Sequence, residues 1–426
     1  LIEEFALRRP IQTFGWCTAA GQRTERLSVR GLNVSQISIS EPTRGAGPLG
    51  GFSLSQARTI VGGSFRPNPW IYWTDFLTSW SIGVAAFAGV THPQLLASNA
   101  LWHNADLAAR TDWHWPATVA MFFVSSLLYY RCSLFIHELV HIRADEFKTF
   151  RFVWNMLCGI PFLIPSFVYY THLDHHRRKH YGTHEDGEYI SLSNMPARAI
   201  LIYLSQILVL PILGVVRWGI LTPMTWFSPR LRNWVHQHMS SMIMDPKYIR
   251  PLPTKKALRI IRMQEVCCFL FICFVGVRMT MSYGLLFNEP LPPSMLLQIY
   301  LTGVFIVAMN SLRTLGAHRW TSHGTEMNFV EQMLDSINYP HAPLIGGLWA
   351  PIGLRFHALH HIFPTMPYHA MAKAHRRLMA ELPADSPYRQ TEARSLTMEI
   401  IRLWKRARAN EQAPAEDPQS ITRRSA

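Results

Sequence analysis

Trp115-Pro-Ala-Thr-Val-Ala-Met-Phe-Phe-Val-Ser-Ser-Leu-Leu-Tyr-Tyr130-Arg131-Cys-Ser-Leu-Phe-Ile-His137-Glu-Leu-Val-His141 is apolar as far as Tyr130 and then acquires polar chemistry. At about 1.5 Å per helical residue, Trp115 to Tyr130 covers about 24 Å, most of a hydrocarbon core. Arg131 is placed to snorkel at the interface. His137 and His141, one turn apart on one helix face, then stand just outside the lipid. A spanning helix that ends on paired imidazoles predicts a helical membrane protein with metal chemistry at one surface.

Working outward, Trp70 to Val90 reads as another span, with Trp70, Tyr72 and Trp73 as an interfacial belt. Val266–Phe287 and Ser294–Leu312 make two more. Phe150 to Tyr170, interrupted by Pro161 and Pro165, suits the membrane surface. Ala199 to Pro223 is apolar enough to cross, but Pro211, Gly214 and Arg217 interrupt it. Parity decides how to read it. The histidines at 137–141, 172–176, 318 and 357–361 share one side only if 199–223 does not cross. Eight basic residues between 228 and 262 also belong on the cytoplasmic side, whereas loops 91–114 and 288–293 together hold one, Arg110. The expected fold is therefore all-α and integral to the membrane. It has about four transmembrane helices, interfacial or re-entrant helices, and a cytoplasmic histidine-bearing cap, with both termini cytoplasmic. Its expected layout is a polar, flexible region 1–68, a membrane domain 69–390 and a basic tail 391–426.

Composition closes off other classes. The +14 charge has no basic-aromatic platform or finger spacing beside it, so nucleic acid is not the expected partner. The Lys and Arg instead suit an anionic leaflet, as does the face Arg402 to Arg408. Cys17, Cys132, Cys158, Cys267, Cys268 and Cys273 show no CxxC spacing, which argues against a disulfide framework or an iron–sulfur cluster. Gly45-Ala-Gly47-Pro-Leu-Gly50 matches GxGxxG formally, but it carries a proline and lacks a strand–helix context. The opening residues, with Glu3, Glu4, Arg8 and Arg9, lack the pattern of a cleavable signal peptide.

His172-Leu-Asp-His175-His176 and His357-Ala-Leu-His360-His361 repeat one pattern. Chance placement of 20 His in 426 residues gives about 0.04 such patterns. Positions i, i+3 and i+4 share a helix face, so each copy should aim three imidazoles at one point. With His137, His141 and His318 the candidate ligands number nine, which suits two ions rather than one. Imidazole binds Zn, Cu, Fe and Ni alike. His137-Glu138-Leu-Val-His141 is also a literal HExxH, the zinc-peptidase motif with Glu138 as base, but a peptidase needs one further ligand, not seven. In the di-metal reading Glu138 instead orients an imidazole. Asp174, Glu185, Asp186 and Asp335 are candidates for the same task. His180, His184, His323, His369 and His375 read as interfacial, and Arg278 as a snorkelling residue.

These motifs resemble the membrane fatty-acid desaturases, the histidine-box di-iron enzymes. Arg313-Thr-Leu-Gly-Ala-His318-Arg-Trp, Leu334-Asp-Ser-Ile-Asn338 and Ala350-Pro-Ile-Gly-Leu-Arg-Phe-His357 look like the bacterial branch. The resemblance covers about Pro69 to Arg389. It implies two Fe ions cycling between Fe2+ and Fe3+, O2 as co-substrate, and His137, His141, His172, His175, His176, His318, His357, His360 and His361 as ligands. Asn310 stands eight residues before His318 rather than the four of animal acyl-CoA desaturases, so it is carried only as a supporting residue. His357 replaces the Gln usual in front-end desaturases. The resemblance implies a bacterial inner-membrane enzyme that introduces a C=C bond into a fatty-acyl substrate, held as a CoA, carrier-protein or phospholipid ester. No haem, flavin or nicotinamide motif is present, so a separate ferredoxin or cytochrome b5-type donor is implied. A hydroxylase or related monooxygenase on the same scaffold is the alternative, and a histidine-rich metal transporter or store is a third reading. Accessibility labelling should place the 137 and 357 regions on the same side of the bilayer; labels on opposite sides would overturn the shared site.

Overall fold

The computed structural model describes residues 52–91, 114–143, 145–281 and 290–412. The glycine motif at 45–50 and most of the loop at 91–114 lie outside them. Five long helices organise the described residues: α1 Pro69–Thr91, α2 His114–His141, α3 Arg198–Phe227, α4 Lys255–Thr280 and α5 Pro293–Leu315. Among the described residues no strand forms, only isolated bridges. The protein is all-α and integral to the membrane, because α2 to α5 are each long and apolar enough to cross a bilayer.

α1 and α2 pack along their lengths. Gly83 makes this possible, since a Cβ there would stand 3.0 Å from the Tyr129 ring. Arg131 does not snorkel: its guanidinium grips Asp75 of α1 through Nε at 2.6 Å and Nη2 at 2.5 Å. A buried or half-buried cation near lipid keeps its charge by pairing. Tyr72 is likewise no belt residue. It is fully buried and donates to Glu138 Oε2 at 2.5 Å, whereas Trp70 is 80 % exposed. Arg278, expected to snorkel, is also buried and donates to Met281 O at 2.9 Å.

α3 is not broken at Pro211, Gly214 or Arg217. It runs as one 30-residue helix with a π segment at Val216–Leu221, the kind of local adjustment that absorbs a proline and a buried side chain. Pro211 faces Gly303 of α5, where a Cβ would approach to 3.2 Å. Arg217 turns inward to Glu265 of α4 at 2.5 Å, Ser240 Oγ at 2.9 Å and Met239 O at 2.9 Å. The opposite face leaves Leu201, Ile202, Leu208 and Ile212 more than half exposed, as lipid contact requires. Both flanks of α3 are nevertheless fastened to the histidine-bearing body. Tyr203 joins the core of Tyr181 and Tyr189. Beyond the helix, Met242 N donates to Val168 O at 2.9 Å and Tyr248 OH to Asp174 Oδ2 at 3.3 Å.

The rest of the described chain forms a cap over one end of these helices. Leu54–Ile60 packs Ala57 and Ile60 against Phe356, Leu359 and Leu378. Leu396–Gln412 packs Leu403 and Ala407 against Tyr189 and Leu192. Residues read from the sequence as polar ends thus cover the histidine segments on two sides. Removing one member of a buried ion pair costs about 3–5 kcal/mol, while replacing both by apolar residues costs far less. Arg217→Met should therefore lower the melting temperature in detergent more than Arg217→Met with Glu265→Leu, as measured by thermal unfolding.

Candidate metal centre

His137 and His141 leave the membrane on the last turns of α2. His172–His175 is one short turn entered from the 3-10 segment Ser166–Tyr169. His318 lies three residues beyond α5, and His357–Ile362 is another short helix. Gly182 and Gly353 shape the turns around them. Gly182 has φ 71°, and a Cβ there would meet Ser322 Cβ at 2.7 Å. Gly353, also at φ 71°, passes Met371 Sδ at 2.8 Å. Both positions need glycine for conformation and for space.

The nine histidines meet, but not as each motif's spacing suggested. One group gathers His137, His141, His172, His176 and His360; the other gathers His175, His318, His357 and His361. Within each group the ligand atoms lie within 4.8 Å of one another. Each HxxHH motif therefore divides: its i and i+4 members join one group and its i+3 member crosses to the other. The physical reason is angular. At about 100° per residue, i+4 returns to within about 40° of i, whereas i+3 lies about 60° away on the other side. Two short helices set beside each other exchange their middle histidines.

The geometry fits cations rather than hydrogen bonds. His176 Nε2 lies 3.0 Å from both His172 Nε2 and His360 Nε2, and His360 Nε2 lies 3.1 Å from His141 Nε2. In the other group His357 Nε2 is 2.9 Å from His318 Nε2 and 3.1 Å from His361 Nε2. One ring nitrogen offers a hydrogen or a lone pair, never both, so a nitrogen with two such neighbours cannot satisfy them. Imidazoles about 2.1 Å from a common ion and at right angles would stand about 3.0 Å apart. Both ring nitrogens of His137 are buried with no hydrogen-bond partner. Burial first, then neighbouring imidazoles, holds His172, His176, His360 and His361 far below the ordinary range. His357 is held down in the same way. Neutral rings present the lone pairs that a metal needs.

The outward nitrogens are fixed by carboxylates that sequence reasoning only partly found. Asp186 accepts from His175 Nδ1 at 2.8 Å and from Gly182 N at 3.0 Å. Burial lowers His175, but Asp186, Glu188 and Asp335 outweigh it and the net shift is upward. Glu188 accepts from His172 Nδ1 at 2.9 Å, and burial pushes its carboxyl up to about 8. Tyr181 donates to Asp335 at 2.7 Å and so must accept from His318 Nδ1 at 2.8 Å. Burial works against the Asp335 charge, yet the neighbouring His318 and hydrogen bonds from Thr321 bring it down to about 2. Each arrangement turns an Nε2 lone pair inward. Glu188 and Tyr181 were missed because they follow the second motif at no fixed spacing. The one available signal was the acidic stretch Tyr181 to Tyr189, which sets Glu185, Asp186 and Glu188 between two tyrosines.

Four expected supporting residues sit elsewhere. Glu138 orients no imidazole and faces no histidine group; it accepts from Tyr72 OH and from Tyr368 N at 3.2 Å. That placement also leaves it no part as a peptidase base. Asp174 pairs with Arg177 at 2.7 Å, and Asn310 accepts from Arg313 Nη2 at 3.1 Å. Glu185 reaches His180 at 3.1 Å, and His375 bonds Tyr388 and Glu392. His369 accepts from Asn68 N at 3.2 Å.

A helical membrane protein whose cap joins two histidine groups around neighbouring points is the class defined by this fold and geometry. The model of the family described as fatty acid desaturase matches residues 113–392, from the start of α2 through the last histidine motif. The chain belongs to that family and is an oxidoreductase. It is 34% identical over 359 residues to a ceramide hydroxylase of Caulobacter vibrioides (strain NA1000 / CB15N), covering 83% of this chain and 93% of that one. No solved structure gives a significant match.

Loss of a carboxylate behind a ligating imidazole typically weakens metal binding about 10–100-fold. Asp186→Asn and Glu188→Gln should each do so, read by competition with a chelator. His360→Ala and His175→Ala should each remove about one metal per chain, from different groups, by elemental analysis of purified protein.

Proposed function

We propose that this chain hydroxylates a ceramide-type membrane lipid at a di-iron centre held by the nine histidines. The observation that carries the reading is the ceramide hydroxylase relative, similar across almost its whole length. The sequence alone put desaturation of a fatty-acyl chain first, and the family description keeps that as the second reading. The two outcomes share the first C–H cleavage.

An unactivated C–H bond gives acid–base residues nothing to grip, so the bound iron pair supplies O2 activation. The overall balance is R–H + O2 + 2 electrons + 2 protons to R–OH + H2O. The protein's own part is positional. Asp186, Glu188 and the Tyr181–Asp335 pair hold three imidazoles in one tautomer and orientation. Burial of His137, His172, His175, His318, His357 and His360 to under 5 % exposure keeps bulk water from the centre. α2 carries its histidines directly out of the lipid, so a substrate can remain in the bilayer while its reacting segment reaches the cap.

Electrons come from a separate carrier, of ferredoxin or cytochrome b5 type, since this chain carries no redox motif beyond the histidines. The cap, the histidines and both termini lie on the cytoplasmic face. Support comes from the basic residues around Lys255, Lys256, Arg259 and Arg262 at the cap end of α4, and from the fastening of both α3 flanks to the cap.

Expression in a host that makes ceramide should yield ceramide with one added oxygen, seen by mass spectrometry of extracted lipid. The product should disappear with His175→Ala. Ceramide short of two hydrogens would favour desaturation, and unchanged ceramide with altered fatty acids would sink the substrate assignment.

A further inference from the structure

Between the two histidine groups lies a cavity of about 20 Å³, room for roughly one water. His137 and His172 of one group, His175, His318 and His357 of the other, and Arg313 all line it. Arg313, on the last turn of α5, is 7 % exposed. Its Nε and Nη2 reach Asn310 Oδ1 at 3.3 and 3.1 Å, and Nη2 reaches Thr314 Oγ1 at 3.0 Å. These partners are neutral. Glu188 lines the same cavity and its charge interacts with Arg313; its Oε2 bonds His172 Nδ1, and its Oε1 is buried without a hydrogen-bond partner.

A guanidinium has five N–H donors and no acceptor. Three such bonds, with the Tyr130 hydroxyl close by, leave capacity for one more acceptor. Burying a cation is costly unless its donors find acceptors. A hydrocarbon methylene cannot; an oxygen acceptor can. The cavity is so small that an oxygen held by Arg313 lies close to both histidine groups. The carbon that reacts must then be only a few bonds from that oxygen.

Resting on the hydroxylase reading, we propose that Arg313 is a specificity-determining residue that binds the carbonyl oxygen at the head of the lipid's acyl chain. Asn310 and Thr314 hold its fork in place. The oxidised carbon lies within about three bonds of that carbonyl, not in the middle of the chain. Oxidation there follows the same balance as above: one C–H bond breaks, one C–O bond forms, and the external carrier supplies both electrons.

Two measurements on the full-length protein in lipid nanodiscs test this. The first uses metal-free protein and N-hexanoyl sphinganine as the probe. Arg313→Gln should weaken binding at least about tenfold and Arg313→Lys less, a loss of the size expected when a charged hydrogen bond goes. Thr314→Val, the fallback if Arg313→Gln does not insert, should weaken it about threefold or more. The second locates the new oxygen in N-hexadecanoyl sphinganine by tandem mass spectrometry. The wild type should place it within three carbons of the amide, on the acyl side; Arg313→Gln should raise KM and scatter the position while iron content stays unchanged. A mid-chain or sphingoid-base product in the wild type, unaltered probe binding in Arg313→Gln and Thr314→Val, or loss of iron in Arg313→Gln would each overturn the assignment. Failure of the wild type to oxidise any ceramide would refute the hydroxylase reading, and the binding arm would still decide whether Arg313 reads a carbonyl.

Discussion

The structure depends on one constraint: nine imidazoles, eight of them buried, must hold their nitrogens crowded together. Nε2 atoms 2.9 to 3.1 Å apart do not satisfy one another by hydrogen bonding. The arrangement is stable only with something electropositive among them, or with a surrounding shell rigid enough to hold it. That shell is visible. Asp186, Glu188 and the Tyr181–Asp335 pair fix outer nitrogens. Asp335 in turn is held by Thr321 through both backbone and hydroxyl, at 2.8 and 2.6 Å.

The same constraint explains how the cap is tied to the membrane helices. α2 brings two histidines out of the bilayer without a break, so any tilt of α2 would displace them. Asp75 and Tyr72 of α1 grip α2 at Arg131 and Glu138. Tyr368, seven residues past the last histidine motif, donates to Asp75 at 2.7 Å and offers its N–H to Glu138. Glu138 thus helps to locate the third motif against the first by fastening backbone rather than by touching an imidazole. HExxH spacing gives no hint of that use.

Arg217, Arg131 and Arg278 form a common lesson. Sequence position put the last two at a polar boundary, where a long side chain reaches water. Arg217 and Arg131 point inward instead, to Glu265 and Asp75, while Arg278 is buried and reaches Met281 O at the end of its own helix. Whether an arginine in an apolar run snorkels or pairs depends on what a neighbouring helix presents at its depth. In α3 that inward turn, with the π segment, keeps a proline-containing stretch helical that reads as interrupted when taken alone.

Much was legible in the chain by itself. Apolar runs of spanning length, separated by charge asymmetry, determine an all-α membrane protein, because backbone groups in lipid must bond within their own helix. The clustered histidines point to a metal centre, since few other uses call for imidazole at such density. Periodicity is local, however, and a single helix cannot tell which partner each face will meet. Only the tertiary structure decided that the two HxxHH motifs exchange their middle histidines, that Glu188 and Tyr181 orient the rings, and that Arg313 faces the space between the groups. Each of these depends on how short helices far apart in sequence cross, and crossing is set by packing in three dimensions rather than by spacing along the chain.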